Sequence, residues 1–318
     1  PLCSLLFQNG FLMLFCGLVN RSRDYCFRAS SFVRQHSWPL LQEDLCCSID
    51  QVFACAPEFS DDRNAFIPYS ARFSSRVDLG PPHELAAVVN EAGDVTLINT
   101  LDTATNQPYE KRTRWSAHNN AIFDVAWADD DQKLLTASGD HFIKLWDCEK
   151  QQVLARFRGH RSSVKSISVS RSCTELLASG GRDGKLLLWD YRQNQSVNHN
   201  RGPVFEVTGP FASSPSVASS VTSVRFIGDS LLAATGNASG LVKIWDSRMM
   251  TRKPMCELSP VNNGSARSSS RHRTFGLTSA AIDCTHTRLA VSCKNHVIYL
   301  YDLTAPFSPP VELRGHRC

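Results

Sequence analysis

The chain has 318 residues, of which 42% are hydrophobic and 20% are charged, and its formal net charge at pH 7 is +4. This length is sufficient for one all-β domain with a large core, and so mild a basic bias does not by itself indicate nucleic-acid binding. None of the 12 cysteines forms a Cys-x-x-Cys pair, which argues against a metal site and, in a domain of this size, against a disulfide framework. We expect free, mostly buried thiols in a reducing compartment.

Residues 1–65 show no repeat and are predicted to be an irregular N-terminal segment. The apolar run at residues 2–19 is interrupted by Gln8-Asn9-Gly10, so it is too short and broken for a membrane span. It also lacks a clear charged start and cleavage site, which a signal peptide requires. Because the chain begins with Pro1 and not with methionine, the natural start can lie upstream, and this segment is interpreted as an irregular lead-in or the product of an imperfect gene model. The repeat domain is predicted to cover residues 66–318.

The first sign of a repeating unit lies between residues 84 and 99. Two apolar runs, residues 85–89 and 95–98, flank a turn, and residues 66–73 can supply an earlier strand. No tryptophan closes this unit. Asn99 is predicted to stand where tryptophan is expected, because it precedes Trp146 by 47 residues, close to one repeat period.

Residues 117–192 hold two consecutive copies of one pattern. His118 and His160, which open the copies, lie 42 residues apart, and Trp146 and Trp189, which are followed by aspartate, lie 43 residues apart. A period in the low forties with these two ends is the signature of a WD-repeat blade. The chain is therefore predicted to be an all-β WD-repeat β-propeller, with four short strands in each blade.

In each strong copy, four polar side chains are predicted to share a hydrogen-bond network that satisfies buried polar groups. They are a histidine before the first strand, a hydroxyl on the second, an aspartate in the next turn and the closing tryptophan. A His-Ser-Asp trio also occurs in hydrolases, but a trio that recurs with tryptophan in each blade is predicted to be structural, so no catalytic residue is assigned. The two sets are His118, Thr136, Asp140 and Trp146, and His160, Ser179, Asp183 and Trp189.

Two weaker copies follow a polar loop at residues 193–220. The fourth copy ends at Trp245 and has no leading histidine, and Thr235 is predicted to be its hydroxyl residue. The fifth copy spans residues 277–302. The substituted positions are Ser239 for aspartate in the fourth copy, and Asn295 for aspartate and Tyr301 for tryptophan in the fifth.

A second insertion, residues 249–274, separates the fourth and fifth copies. From Arg248 to Arg273, with both ends counted, the chain has six Lys or Arg and one acid. A solvated flexible loop explains this composition most simply, and a regulatory or partner-binding loop remains an alternative. After the fifth copy, Gly315-His316 would open another repeat, so we expect about five blades of a larger ring, with C-terminal blades missing and strand edges exposed.

Two successive copies end in Trp-Asp-x-Arg, whereas the copy that ends at Trp146 has Glu149 in place of the arginine. An arginine just past the third strand lies on one rim of the ring, where its planar fork can bind carbonyl or carboxylate groups of a partner. Purely intramolecular contacts are the plainer alternative. On the opposite rim, Arg182 is a candidate substrate contact. The two motifs comprise Trp189, Asp190 and Arg192, and Trp245, Asp246 and Arg248.

Residues 66–318 resemble the denticleless family of seven-bladed WD-repeat proteins. The resemblance implies a non-catalytic substrate receptor of a cullin-4-type RING ubiquitin ligase, joined to the cullin by the damage-binding adaptor protein, which would bind the two Trp-Asp-x-Arg motifs. It further implies that the substrates are replication and cell-cycle proteins bound to the DNA sliding clamp. The likeness is sharpest at residues 89–93, 117–118, 121–127, 159–160, 180–184 and 245–248.

The same resemblance implies a nuclear protein that acts in the cell cycle, DNA replication and the DNA damage response. No cofactor, metal, membrane or direct nucleic-acid contact is expected. An enzyme has little support, because the sequence has no phosphate-binding glycine loop, metal-ligand spacing or nucleophile elbow. The alternative is a WD-repeat scaffold of another nuclear, chromatin-type complex, which would differ from the receptor in its partner.

Overall fold

The structure is a computed structural model. It describes residues 7–8, 11–12, 67–74, 85–99, 112–128, 131–170, 176–191, 200–212, 219–228, 230–249, 253–259, 275–283, 285–305 and 308–314. The chain divides into two compact units, Pro1–Pro68 and Tyr69–Cys318. Within the first 65 residues, the described part is an antiparallel pair, β1 (Phe7–Gln8) and β2 (Phe11–Leu12). The rest of the predicted irregular segment lies outside the described residues.

The second unit confirms the predicted all-β propeller of five blades, because its strands form five sheets in chain order. In the described part, the helical content of this unit is a single 3₁₀ turn, Ser247–Met249. The first blade consists of β3 (Pro68–Phe73), β4 (Leu85–Asn90), β5 (Asp94–Asn99) and β6 (Arg112–Ser116), and the second of β7 (Ile122–Ala128), β8 (Lys133–Ser138), β9 (Phe142–Asp147) and β10 (Gln152–Arg158), with β14 (Asn200–Arg201) added at its outer edge. The third blade consists of β11 (Val164–Val169), β12 (Leu176–Gly181), β13 (Lys185–Asp190) and β15 (Phe205–Thr208). The fourth consists of β16 (Val221–Ile227), β17 (Leu231–Gly236), β18 (Val242–Asp246) and β19 (Cys256–Leu258), and the fifth of β20 (Leu277–Ile282), β21 (Arg288–Cys293), β22 (Val297–Asp302) and β23 (Val311–Arg314).

Burial follows the place of each strand in its blade. The second strands β8, β12 and β17 are buried at every position after the first, because both of their faces pack against neighbouring blades. The outer strand β10 instead alternates between buried and exposed residues along its second half, as expected for a strand with one face in water. Alternation in the sequence therefore indicates the outer layer, and apolar runs indicate the interior.

The inner strand of each blade from the second to the fifth begins with a β-bulge. In β7, β11, β16 and β20, the pairing with the next strand skips the second residue. A bulge twists a strand locally and re-aims a side chain. The skipped residues are Phe123, Lys165, Thr222 and Thr278.

Blades pack on one another in chain order. β4 packs on β7, β7 on β11, β11 on β16, and β16 on β20. Among the described strands, no comparably extensive packing joins the fifth blade to the first. These five blades therefore form an arc whose ends are not joined by strand packing.

The prediction for Asn99 was wrong by one residue. Asn99 pairs with Leu85 across the first blade, and this register matches that of Asp147 opposite Lys133 in the second. Asn99 thus takes the place of the aspartate in Trp-Asp, and Ile98 takes the place of the tryptophan. Spacing alone misplaced it, because the length of the loop between blades varies while strand pairing does not.

In the described part of the chain, no helix has both the length and the apolar character that a membrane span requires. Three described cysteines, Cys148, Cys256 and Cys293, are free thiols. Burial raises the pKa of Cys148 to about 12, so this thiol stays protonated at neutral pH and is a poor nucleophile.

Candidate partner-binding surfaces

The structure brings together the four polar residues of the second blade. Nδ1 of His118 lies 2.7 Å from a carboxylate oxygen of Asp140, and its Nε2 lies 2.8 Å from Oγ1 of Thr136. The indole Nε1 of Trp146 donates to the same hydroxyl oxygen at 3.0 Å. Burial lowers the pKa of His118. A neutral imidazole protonated on Nδ1 satisfies all of these contacts, with Nε2 accepting the hydroxyl proton of Thr136.

The third blade repeats the same arrangement. Nδ1 of His160 lies 3.1 Å from Asp183, and its Nε2 lies 2.8 Å from Oγ of Ser179, which also accepts from Nε1 of Trp189 at 2.8 Å. Ser179 is fully buried and its hydroxyl is engaged on both sides, so it cannot attack a substrate in this state. The trio therefore joins the strands of one blade and has the geometry of a structural network.

The fourth blade lacks this network, and the prediction for Thr235 was wrong. Ala234, not Thr235, occupies the register that Thr136 has in the second blade. Successive side chains on a strand face opposite sides of the sheet, so Thr235 lies on the face opposite to Trp245. Its hydroxyl lies 2.9 Å from that of Thr222 on the inner strand. The buried Nε1 of Trp245 consequently has no hydrogen-bond partner among the described residues.

Phe211 fills the place of the missing histidine. A Cβ added at Gly236 would collide with the Phe211 ring, just as one at Gly181 would collide with the His160 imidazole, and the two glycines end equivalent strands. Phe211 is buried, and the ammonium of Lys243 lies 5.7 Å from the centre of its ring. Aromatic packing thus replaces the polar network in this blade.

Ala234→Ser is expected to stabilise the protein by about 1 kcal/mol, because the new hydroxyl can accept from the unpartnered Nε1 of Trp245. Urea unfolding measures this change. Ala233→Ser is the matched control, since Ala233 is equally buried but faces the other side of the sheet. The new hydroxyl of this variant would be buried away from Trp245, so we expect the variant to be less stable than the wild type. Equal losses in both variants would show that the register assigned to Ala234 is wrong.

The fifth blade keeps the shape of the others without their network. Nδ2 of Asn295 donates to the hydroxyl of Tyr299 at 2.8 Å. Tyr301 is buried, and its hydroxyl has no partner among the described residues. Tyr301 therefore replaces the tryptophan as a packing residue only.

The aspartate that ends the third strand in the second, fourth and fifth blades shapes the turn that follows it. Asp246 accepts the backbone N–H of Arg248 at 2.9 Å, and this side-chain bond to the backbone two residues on is an Asx turn. Asp147 and Asp302 make the same bond in the second and fifth blades. The Trp-Asp pair thus fixes the backbone at the position that the arginine occupies in the Trp-Asp-x-Arg motif.

Arg248 lies on the surface at this rim. Its side chain is 74% exposed, and its Nε and Nη2 each lie 3.3 Å from a carboxylate oxygen of Asp246. Exposed ion pairs contribute little to stability, so the guanidinium can exchange this contact for a partner. Arg192 lies outside the described residues, and of its motif the structure places Trp189, Asp190 and Tyr191.

A buried charged cluster at the centre of the arc was missed in the sequence. Asp124 on β7 is 4% exposed, and one carboxylate joins the inner strands of four blades. The sequence signal was a charged residue inside an apolar strand, since buried charges are rarely unpaired. Its donors are Ser70 Oγ at 3.1 Å, Arg72 Nη2 at 3.4 Å and Val125 N at 3.0 Å on one oxygen, and Ser166 Oγ at 3.0 Å, Ile167 N at 3.1 Å and Arg225 Nη1 at 3.3 Å on the other.

The charged groups of this cluster shift one another's pKa. Burial by itself raises the pKa of the Asp124 carboxyl, but the Arg225 and Arg72 guanidinium groups and the other donors outweigh it and hold the pKa below its usual value. Burial and the nearby charge of Arg72 lower the pKa of Arg225 to about 10. Asp124 and Arg225 are therefore both charged at neutral pH.

The opposite rim is built from the turns between the second and third strands. In four blades, the first residue of this turn donates its N–H to the carbonyl just before the inner strand of the same blade. Each turn is thus held beside the bulged residue of that inner strand, and Arg182 is held beside Lys165. The donor and acceptor pairs are Gly139 and Ala121, Arg182 and Ser163, Asn237 and Ser220, and Lys294 and Gly276.

Repeated four-stranded blades with Trp-Asp ends and buried histidine networks define a WD-repeat β-propeller protein. The family described as nucleolar protein 10-like, N-terminal domain, a β-propeller domain, matches residues 123–261. The chain is 32% identical over 327 residues to Denticleless protein homolog B of Xenopus laevis, and the alignment covers 96% of this chain and 44% of that protein.

Two further denticleless proteins are similar to this chain. The chain is 31% identical over 277 residues to Denticleless protein homolog of Homo sapiens, covering 79% of this chain and 36% of that protein. It is 28% identical over 313 residues to Protein lethal(2)denticleless of Drosophila melanogaster, covering 92% and 38%. The chain belongs to the denticleless family, as the sequence motifs predicted, and it spans less than half the length of these relatives.

Proposed function

We propose that this protein is the substrate-recognition subunit of a cullin-4-type RING ubiquitin ligase. Its membership of the denticleless family supports this assignment. The observation that carries the proposal is Arg248, an exposed guanidinium at the end of a third strand, on a backbone turn held by Asp246. The side chain is free to move, while its Cα is fixed by the blade.

In this proposal, the damage-binding adaptor protein binds the rim that carries the two Trp-Asp-x-Arg motifs. The third and fourth blades are neighbours, so Arg192 and Arg248 would lie one blade apart and present two forks to one partner surface. The adaptor links the receptor to the cullin, and substrates bind the opposite rim. Proteins of replication and the cell cycle, bound to the sliding clamp in the nucleus, are the proposed substrates.

The test combines Arg192→Ala with Arg248→Ala in the full-length protein and measures co-purification with the adaptor. Capture of the adaptor should fall at least about tenfold, because arginines that become desolvated at an interface are frequent hot spots. The melting temperature should stay nearly unchanged, because exposed ion pairs contribute little to folding. Binding of substrates to the opposite rim should survive.

Arg314→Ala is the matched control. Arg314 is 73% exposed and pairs with Glu312, two residues earlier, as Arg248 pairs with Asp246, but it lies on an outer strand. This variant should capture the adaptor normally. Capture at the wild-type level by the double variant would refute the role of the arginines and favour the alternative, a WD-repeat scaffold of another nuclear complex. Unfolding of the double variant would show that the arginines are structural.

A further inference from the structure

Two cations and two aromatic rings meet on the rim opposite the Trp-Asp-x-Arg ends. Nζ of Lys165 lies 3.2 Å from the centre of the Phe123 ring, and the ring centres of Phe123 and Tyr69 are 5.2 Å apart. These three residues are the second residues of β11, β7 and β3, in adjacent blades. The turn that carries Arg182 is hydrogen-bonded beside Lys165. We call these four residues the mouth cluster.

The positive charge of the mouth cluster is not neutralised within the described residues. Lys165 and Arg182 have no carboxylate partner there, whereas Lys185 and Lys243 in the third and fourth blades pair with Glu206 and Glu257. Burial lowers the pKa of Lys165, and the nearby guanidinium of Arg182 lowers it further. Two like charges close together, one on the half-buried Lys165 and one on the exposed Arg182, favour the arrival of an anion.

This concentration of charge is specific to the third blade. The equivalent second residues of β16 and β20 are Thr222 and Thr278, and the turn residues equivalent to Arg182 in the flanking blades are Gly139 and Asn237. The charge around the mouth cluster is also unevenly distributed. Glu91 is exposed and lies in the turn between β4 and β5, on the side of the first blade. The pKa of Tyr69 is raised by burial and then by the charge of Glu91.

We propose that the mouth cluster binds an acidic peptide segment of a partner protein. A carboxylate of the peptide pairs with Lys165 and with the fork of Arg182, and an adjacent aromatic or leucine side chain packs on Phe123 and Tyr69. The contact between Lys165 and the Phe123 ring preorients the ammonium, which reduces the entropy lost on binding.

The distribution of charge favours a peptide over a nucleic acid. A nucleic-acid site needs a stripe of cations that follows many phosphates. Here the two cations belong to one blade, and Glu91 lies across the same mouth and would repel a phosphate backbone. A short segment with one acidic group beside one apolar group fits the cluster.

This inference rests on the proposed function only in naming the partner as a ligase substrate. The probe is a short fluorescein-labelled peptide with one Glu next to Leu-Phe and no other acidic residue, titrated into the full-length protein and followed by fluorescence anisotropy. Lys165→Glu with Arg182→Glu should weaken binding at least about tenfold. Binding by the wild-type protein should also weaken as salt concentration rises.

Lys294→Glu is the matched control, because Lys294 is the exposed turn residue of the fifth blade at the position of Arg182. This variant should bind the peptide like the wild type. The same melting temperature in the wild type and the double variant would exclude unfolding. For a double variant that fails to fold, Arg182→Gln alone, at an exposed site, provides the test and should still weaken binding.

Three results would overturn the inference. They are absence of peptide binding, equal binding by wild type and double variant, and tighter binding of a single-stranded oligonucleotide than of the peptide. Adaptor capture distinguishes this failure from failure of the proposed function, since the adaptor binds the other rim. A protein that captures the adaptor but not the peptide keeps its function and loses this site.

Discussion

Asp124→Asn is expected to lower the free energy of unfolding by about 3–5 kcal/mol, because it leaves the partly buried guanidinium groups of Arg72 and Arg225 without their buried counter-charge. The carboxylate of Asp124, on one inner strand, is the shared acceptor of donors from the inner strands of three other blades. Asparagine keeps the size of the side chain, so the loss would come from charge and hydrogen bonding rather than from a cavity. Guanidinium or urea unfolding of the whole chain measures it.

Asp94→Asn is a suitable control for this variant. Asp94 also accepts from an arginine, Arg114, at 2.6 Å, but that arginine side chain is 36% exposed. The exposed pair should contribute less than about 1 kcal/mol. Similar losses from Asp94→Asn and Asp124→Asn would show that the central cluster does not join the blades energetically.

The same variant should change how stability depends on pH. The pKa of Asp124 is lower in the folded protein than its usual value, so its ionised form stabilises the fold above that usual value. This contribution is lost as the pH falls through the folded-state pKa. The asparagine side chain that replaces it does not titrate, so Asp124→Asn should lose less stability than the wild type on acidification.

Trp189→Ala is expected to cost about 3–5 kcal/mol, the usual loss for a large aromatic side chain removed from a core. Trp189 is 1% exposed and packs edge-on against Phe157, with ring centres 5.7 Å apart. The substitution also removes the Nε1 donor to Ser179. Urea unfolding measures the loss, and a change under about 1 kcal/mol would mean that Trp189 is not a core residue.

Two phenylalanine variants separate packing from hydrogen bonding. Trp189→Phe removes the bond to Ser179, which contributes about 1 kcal/mol. Trp245→Phe removes an Nε1 that has no partner among the described residues, so it reports the change in packing alone. Trp189→Phe should therefore be the more damaging of the two, and the reverse order would contradict the network.

Much of a single blade could be predicted from the sequence, because its interactions are local in the chain. His118 contacts a hydroxyl 18 residues away and a carboxylate 22 residues away, and the intervening strands and tight turns leave little choice of register. The period, the apolar runs and the Trp-Asp ends therefore identified the propeller, its blades and the networks of the second and third.

Register was predictable only where a complete motif marks it. In the fourth blade no histidine points to the hydroxyl position, and a shift of one residue exchanges Thr235 for Ala234 and reverses the face of the strand. The first blade has no tryptophan, so the position of Asn99 was predicted from spacing alone. That prediction assigned Asn99 to the tryptophan position, one residue from its place in the strand pairing. Strand pairing in the folded chain decides both cases.

The sequence by itself determined the fold class, the order of the strands and the Trp-Asp ends, one of which carries the exposed Arg248. Only the tertiary structure decided which side chains of different blades meet. Arg225 and Asp124 are 101 residues apart in the chain, and Tyr69, Phe123 and Lys165 come from three successive blades. Such contacts depend on how the inner strands pack around the centre, and no local period in the chain encodes that packing.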